Sequence, residues 1–386
     1  MAGGDKPYRV YRGGRQKGRV PVVAPERAPG DDGRGARPPL LREGRPSRRL
    51  GWGRWIGIGF AGLLLVLLLW AVTSWLAVRG GVNAANDRLE GGVRTTLAPQ
   101  DGLLLTHPTT ILLLGTDHAI TEARAGLRHS DSILLVRTEP KFNRIAYLSI
   151  PRDLLVDVPG FGRDRINTAY QVGGAALAVR TVRGYTGIPI NHLAIVDFAR
   201  FQTLIDELGG ITIDVPARIV SKPFDCPYTA DRCARWEGWR FAKGEQHMDG
   251  RRALVYARIR ANKLDPAESD ITRGGRQQEV LQAIASKLTS PGTLARLPFL
   301  GDDALRPLAT DIGTWEFVQL GWRKFRADKT LRCRLGGDDL NIGGRAVLSP
   351  VEENRNVVAM FMGVSAPQPA LPGSGPFAPG CIVGKG

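Results

Sequence analysis

Histidine and cysteine are scarce in this 386-residue chain, with five of the first and four of the second. The histidines do not gather near the cysteines, which argues against a zinc site. The stretch "RIRANKLDPAESDITRGGRQQ" from Arg258 to Gln278 holds four arginines around Asp270 and contains no His, no Cys and no Ser–His pairing. The usual nucleophile–base pair of a hydrolase is therefore missing from it. Internal repeats and helix-turn-helix motifs are absent too, so the net charge of +16 does not by itself make a nucleic-acid binder. Acidic residues are few near the N-terminus. Residues 1–55 hold 14 Lys/Arg against 5 Asp/Glu and supply +9 of that charge. Large apolar residues are also few there, and a Gly-, Pro- and Arg-rich segment cannot bury enough surface to fold. It is expected to be a disordered basic tail lying against anionic lipid.

Charge itself is absent from Ile56–Val78, "IGIGFAGLLLVLLLWAVTSWLAV". These 23 residues reach about 35 Å as a helix, enough to cross a hydrocarbon core of roughly 30 Å. The run is too long and too far from the N-terminus for a signal peptide. Trp55, Trp70 and Trp75 stand near its ends, as interfacial anchors do. The basic flank precedes it, so the expected topology is a single-pass cell-membrane protein with residues 1–55 cytoplasmic and the remainder extracellular. In that oxidising compartment an even cysteine count reads as disulfides. Cys226 and Cys233 share the short loop "FDCPYTADRC" and are expected to pair, leaving Cys333 with Cys381.

Residues 79–105 read as a stalk of small and polar residues. The folded part is expected over 106–365, and the Pro/Gly-rich tail 366–386 is expected to be loose. "TTILLLGTD", "DSILLVRTEP" and "RIAYLSIPRD" are near-continuous apolar runs closed by Gly–Asp or Pro, the pattern of strands covered on both faces. "NTAYQVGGAALAVRTVRGYTG" reads as a helix, "NHLAIVDF" as a strand, "DFARFQTLIDELGG" as a helix and "ITIDVP" as a strand. Residues 217–247 form a polar excursion that carries two cysteines. "RRALVYARIR" fits helix or strand. "GGRQQEVLQAIASKL" has a helical stripe at Val280, Leu281, Ile284 and Leu288, and "TWEFVQLGWRKF" is a further helix. In "SPVEENRNVVAMFMG", Ser349 and Pro350 read as cap and first helical position. Together these make a three-layer α/β domain.

In open α/β sheets, ligands collect at strand ends. The polar residues expected there are Asp117, Asp131, Arg152 and Asp153, joined by Arg258, Arg260, Asp270, Arg273, Arg276 and Gln277. Several arginines converging on one cleft repel each other unless an anion fills it, and the guanidinium fork matches phosphate oxygens. Two aspartates near phosphate are useful when a hard cation lies between them, and Mg²⁺ takes one or two carboxylates plus phosphate oxygens. A diphosphate clamped by arginine and bridged to aspartate through Mg²⁺ fits this set.

The motif order "ILLLGTD", "SDSILLV", "IAYLSIPRDLLVDVPGFGRDRINTAY", "INHLAIVDFARFQTLIDELGGITIDVP", "GRRALVYARIR" and "DITRGGRQQ" resembles the LytR-CpsA-Psr proteins over most of residues 110–290. The resemblance implies an α/β/α sandwich with a mixed central sheet and an apolar tunnel for a polyprenyl chain. It also implies an extracytoplasmic phosphotransferase that moves a glycopolymer from a polyprenyl diphosphate carrier onto peptidoglycan. Asp117 and Asp131 match the family's Mg²⁺ ligands. Arg152, Arg258, Arg260 and Arg273 or Arg276 match its diphosphate clamp, supported by Gln277, while Asp270 matches a site carboxylate. Arg165 and Asn167 fall where the family keeps polar site residues. Asp131 or Asp270 would accept the acceptor's proton. One departure is His129-Ser130-Asp131 where the family reads Arg-Ser-Asp, with Arg128 one place earlier. A one-residue shift on a strand reverses the face, so either His129 supplies the contact or Arg128 bends in. Extra length between Arg260 and Asp270 is the second departure, expected to loop out and to shape acceptor selection. A polyprenyl diphosphate hydrolase, or a non-catalytic binder of lipid-linked polyanions, would use the same residues.

Overall fold

The computed structural model describes residues 52–118, 128–265, 270–305, 308–370 and 378–385. Most of the expected N-terminal tail, part of the extra length before Asp270 and part of the C-terminal tail lie outside the described residues. The chain divides into two compact units, 1–58 and 59–386, and the second holds every described strand.

The apolar run forms α1 (Trp52–Asp87), longer at both ends than the charge-free stretch. It is exposed through Thr73 and then buries Ser74, Gly81, Val82 and Ala85 against the domain. The segment expected as a stalk is therefore partly packed. Val82 and Ala85 lie on α1, and Val93 and Leu104 beyond it are also buried. Small residues at these positions let the helix approach closely.

Three apolar runs become β1 (Thr109–His118), β2 (Arg128–Glu139) and β3 (Arg144–Ile150). A hairpin of β4 (Leu155–Val158) and β5 (Gly162–Arg165) leads into α2 (Thr168–Thr186). α2 is kinked at Gly173–Gly174, where Gly174 has φ 61°, a conformation that costs glycine little. Then come β6 (His192–Asp197), α3 (Phe198–Glu207) and β7 (Ile211–Val215). The excursion holds β8 (Ile219–Val220), α4 (Ala230–Cys233), β9 (Arg240–Phe241) and β10 (Gly244–Met248). "RRALVYARIR" resolves as helix α5 (Gly250–Arg258), capped by Asp249, whose carboxylate accepts from the Arg252 backbone N–H at 2.7 Å. α6 (Asp270–Leu288), α7 (Pro291–Leu305), β11 (Leu308–Thr310), α8 (Thr314–Arg326) and β12 (Lys329–Arg334) follow. The chain ends with β13 (Gly337–Ile342), β14 (Arg345–Pro350), α9 (Asn354–Phe361) and β15 (Gly380–Lys385).

Two C-terminal expectations are corrected. Ser349 and Pro350 do not open a helix, because they pair with Asp338 and Gly337 in the β13–β14 hairpin and α9 starts at Asn354. The tail expected to be loose supplies β15, held antiparallel to β12, with Cys381 directly opposite Cys333.

The central sheet runs β11-β6-β1-β2-β3-β12-β15. Strands β6 and β1 are parallel, β3 and β12 are parallel, and β2 stands antiparallel between β1 and β3. The sheet is mixed, and β6, β1, β3 and β12 all end at the same edge. Alternation sends Leu112, Leu114, Leu135 and Leu148 into one core, closed by α2 and α9. Leu113, Leu134 and Tyr147 face the opposite side, where α6 and α8 lie, and α3 and α5 build an adjoining core with α6 and β7. This is the expected α/β/α arrangement. Both disulfides pair as read from the sequence, Cys226 with Cys233 and Cys333 with Cys381.

Candidate active site

Strand direction gathers the site. The ends of β1 and β3, the start of β2 and the end of β12 all reach one edge of the sheet. There a cleft of about 310 Å³ is lined by Ser132, Ser149, Pro151, Arg273, Gly274, Gln277, Arg334 and their neighbours. α6 seats its first turns across this edge. Gly274 makes that possible, because a Cβ there would collide with Ser149 Oγ. Gln278, on the next helical turn, donates from Nε2 to the Cys333 carbonyl at 3.0 Å and ties α6 to β12. The cleft therefore faces the amino-terminal part of a 19-residue helix, whose dipole favours an anion.

The charge inside is positive. Arg273 is buried, with 6% of its surface exposed, and lines the cleft with Arg334. Burial lowers the pKa of Arg334 from its ordinary value, so its charge is poorly solvated; its Nε donates to the Ala378 carbonyl at 2.9 Å. At the end of β3, Arg152 Nε donates to Asp153 Oδ2 at 3.3 Å, and Arg165 donates to Asp153 Oδ1 at 3.3 Å. Asn167 sits just before α2, 4% exposed, with its N–H donating to the Arg152 carbonyl and its Oδ1 without a hydrogen-bond partner among the described residues. Asp153 thus orients two arginines beside the cleft.

A second cavity of about 640 Å³ adjoins the first. Its wall is apolar: Leu113 and Leu134 from the sheet, Phe201 from α3, Leu254 and Ala257 from α5, and Val280, Leu281 and Ile284 from α6. Three residues of the helical stripe read from the sequence, Val280, Leu281 and Ile284, thus wall a groove, and Leu288 packs on the adjoining core. Ser132 and Gln277 line both cavities, and Ser132 Oγ donates to Gln277 Oε1 at 2.8 Å across their junction. Arg258 stands at the groove, ion-paired with Asp225 of the excursion, its guanidinium 5.9 Å from the Phe224 ring centre.

Other expected residues are placed differently. Arg276 is buried and donates from Nη1 to the Ile259 carbonyl at 2.8 Å, and burial lowers its pKa from the ordinary value. It lines neither cavity, whereas Arg273, one turn earlier, does. Arg260 is exposed and also lines neither. The side chains of Asp117, Arg128, His129, Asp131 and Asp270 lie outside what the structure describes, but their backbones are placed. Asp117 stands opposite His129 and His118 opposite Arg128. Ser130 pairs with Thr116 and Ser132 with Gly115, so Asp131 is the extra residue of a β-bulge. The bulge falls at the cleft edge, where such irregularities re-aim side chains. Ser132, Ser149 and Arg334 were not expected from the sequence. They are ordinary strand residues, and only the register brings them together; the one available signal was a basic residue next to Cys333.

An apolar groove opening into a cationic cleft accepts one kind of molecule well, a long apolar chain with an anionic head. Comparison with known proteins agrees. Residues 76–351 match the model of the LytR_cpsA_psr family. A curated relative, the polyisoprenyl-teichoic acid–peptidoglycan teichoic acid transferase TagV of Bacillus subtilis, is 32% identical over 293 residues, covering 72% of each chain. The crystal structure of B. subtilis TagV is 30% identical, covers 67% of this chain and 98% of that one, and has a TM-score of 0.53. A structure of TagT bound to LI-WTA is 25% identical, covers 68% of this chain and 94% of that one, with a TM-score of 0.52.

Proposed function

Since the chain belongs to the LytR_cpsA_psr family, we propose that it is a membrane-anchored transferase that moves a glycopolymer from a polyprenyl diphosphate carrier onto peptidoglycan. The observation that carries this reading is the junction at Ser132 and Gln277, where an apolar groove and an arginine-lined cleft meet. The polyprenyl chain lies in the groove and the diphosphate in the cleft. The single span α1 holds the domain at the outer face of the membrane, where such donors reside, with the N-terminus cytoplasmic.

Arg273, Arg334 and the Arg152–Asp153–Arg165 cluster bind and orient the diphosphate and offset the charge that builds on the departing polyprenyl phosphate. A sugar hydroxyl attacks the glycan-bearing phosphorus. The new O–P bond replaces the bond to polyprenyl phosphate, and the hydroxyl proton passes to a carboxylate, Asp131 or Asp270. No enzyme nucleophile is needed, which accounts for the absence of His and Cys from the Arg258–Gln278 stretch. Asp117 and Asp131 come from paired strands at one edge, and two hard carboxylate donors there suit Mg²⁺. When bound, the ion supplies Lewis-acid neutralisation of the phosphate oxygens.

The test is to incubate the full-length chain with a polyprenyl diphosphate glycan and peptidoglycan fragments, with and without Mg²⁺. A phosphodiester-linked product that requires acceptor and metal is expected. Release of free glycan phosphate with no joined product would replace transfer by hydrolysis.

A further inference from the structure

The face of α8 turned away from the core carries residues that water should disfavour. Trp315, Val318, Trp322 and Phe325 recur at helical spacing and are 55%, 43%, 54% and 66% exposed. Trp322 and Phe325 lie together, with ring centres 5.8 Å apart. On neighbouring α7, Leu294 is 39% and Phe299 83% exposed. The opposite side of α8, with Phe317 and Leu320, is already packed on the domain core. The outer stripe is therefore surplus to folding. Contiguous exposed apolar surface of this kind marks an interaction site.

The position of the stripe identifies what covers it. Trp75 of α1 meets Trp315 with ring centres 6.4 Å apart, and Trp70 Nε1 donates to the Ala295 carbonyl of α7 at 3.2 Å. The exposed part of α1, Trp52–Thr73, is 22 residues and about 33 Å long, which matches a hydrocarbon core of roughly 30 Å. The domain touches the helix at Trp70 and Trp75, near the outer end of the apolar run, and α7 and α8 lie at that level. Tryptophan and phenylalanine flanked by exposed arginine, here Arg326 on α8 and Arg296 on α7, suit the boundary between anionic headgroups and acyl chains.

We propose that α7 and α8 form a second membrane contact: the aromatic stripe of α8, with Leu294 and Phe299 of α7, inserts into the outer leaflet beside the α1 span. This rests on the reading of α1 as a membrane anchor. α7 packs on α3 and α6, and α8 on α6, the helices that wall the apolar groove. The docked surface therefore holds the groove next to the acyl chains and shortens the path of a polyprenyl tail from bilayer to site.

All four cysteines are in disulfides, so a single introduced cysteine can be labelled in the intact protein. The full-length chain is reconstituted in vesicles of phosphatidylcholine with a minority of phosphatidylglycerol. An environment-sensitive fluorophore is placed in turn at Val318→Cys, Phe325→Cys, Leu64→Cys and Leu340→Cys, and nitroxide-bearing lipid is added as quencher. Quenching and a blue shift are expected at Leu64, Val318 and Phe325, and neither at Leu340 on the β13 hairpin. Quenching at Leu64 alone overturns the docking while leaving the anchor intact. No quenching at Leu64, Val318 or Phe325 removes both. As an independent readout, Trp322→Glu with Phe325→Glu should raise KM about tenfold for a vesicle-embedded donor and leave it unchanged for a water-soluble short-chain donor, the size expected for losing one or two buried aromatic contacts. An equal rise for both donors would also count against the docking.

Discussion

On one face of the central sheet Leu112, Leu135 and Leu148 are fully buried under α2 and α9; on the other, Leu113 and Leu134 border a groove of about 640 Å³. The same strands supply both faces, and strand alternation gives both an apolar surface. The difference lies in the covering helices. α2 brings small residues such as Ala169, Ala175 and Ala178 close to the sheet, and β15 is stapled down by Cys333–Cys381. α6 is tied down at its start, by Gly274 and Gln278, and farther along its stripe of Val280, Leu281 and Ile284 helps to wall the groove. The closed face is packed throughout, and ligand space is left on the open one.

The contrast between the faces can be broken by substitutions on each side. The largest effect is expected from Cys333→Ala with Cys381→Ala on the closed face. Opening a loop of 48 residues should cost about 4 kcal/mol, read as a lowered denaturant midpoint. Arg273→Ala should lower the transfer rate about a hundredfold, with Arg273→Lys recovering part of it, because a charge-assisted phosphate contact is lost. Leu148→Ala, again on the closed face, should cost about 3 kcal/mol of stability yet leave the rate per folded molecule unchanged. If Leu148→Ala instead changed the KM for donor, the separation of the two faces would fail. Leu281→Trp should fill the groove and raise the KM for a long-chain donor about tenfold, with little effect on unfolding.

The smallest effect concerns pH on the open face. Tyr256 donates to Glu279 Oε2 at 2.7 Å, and burial raises the Glu279 carboxyl above the ordinary 4.5. A raised folded-state pKa means that the folded protein holds the proton more tightly. This stabilising term is full below the ordinary value and is lost as pH rises through the folded one. Glu279→Gln keeps an acceptor for Tyr256 and removes the titration. The variant should gain on the parent in unfolding midpoint between acidic and neutral pH, and parallel curves would refute the assignment.

Much of the fold could be read in advance because its strands are long apolar runs ended by Gly or Pro, as in β1, β2 and β3. β15 could not be read this way. Six residues in a Gly- and Pro-rich tail become a strand through pairing with β12. Ser349 and Pro350 carried a sound helix-cap signal that the β13–β14 hairpin overrode. In the site, Arg273 and Gln277 were legible because charge and polarity at a helix start are conspicuous. Arg276 carried the same signal and was turned instead to the Ile259 carbonyl, a choice made by helical phase.

By itself the sequence determined what local chemistry can determine: the charge-free apolar run at Ile56–Val78, the apolar strands, the cysteine pairs and the surplus of arginine. Tertiary structure decided which of those arginines share a cleft, that Ser132 and Gln277 sit where groove and cleft join, and that the aromatic stripe of α8 lies beside α1. Residue type and spacing act along the chain, whereas convergence depends on strand register and helix phase, which are settled only when distant segments pack.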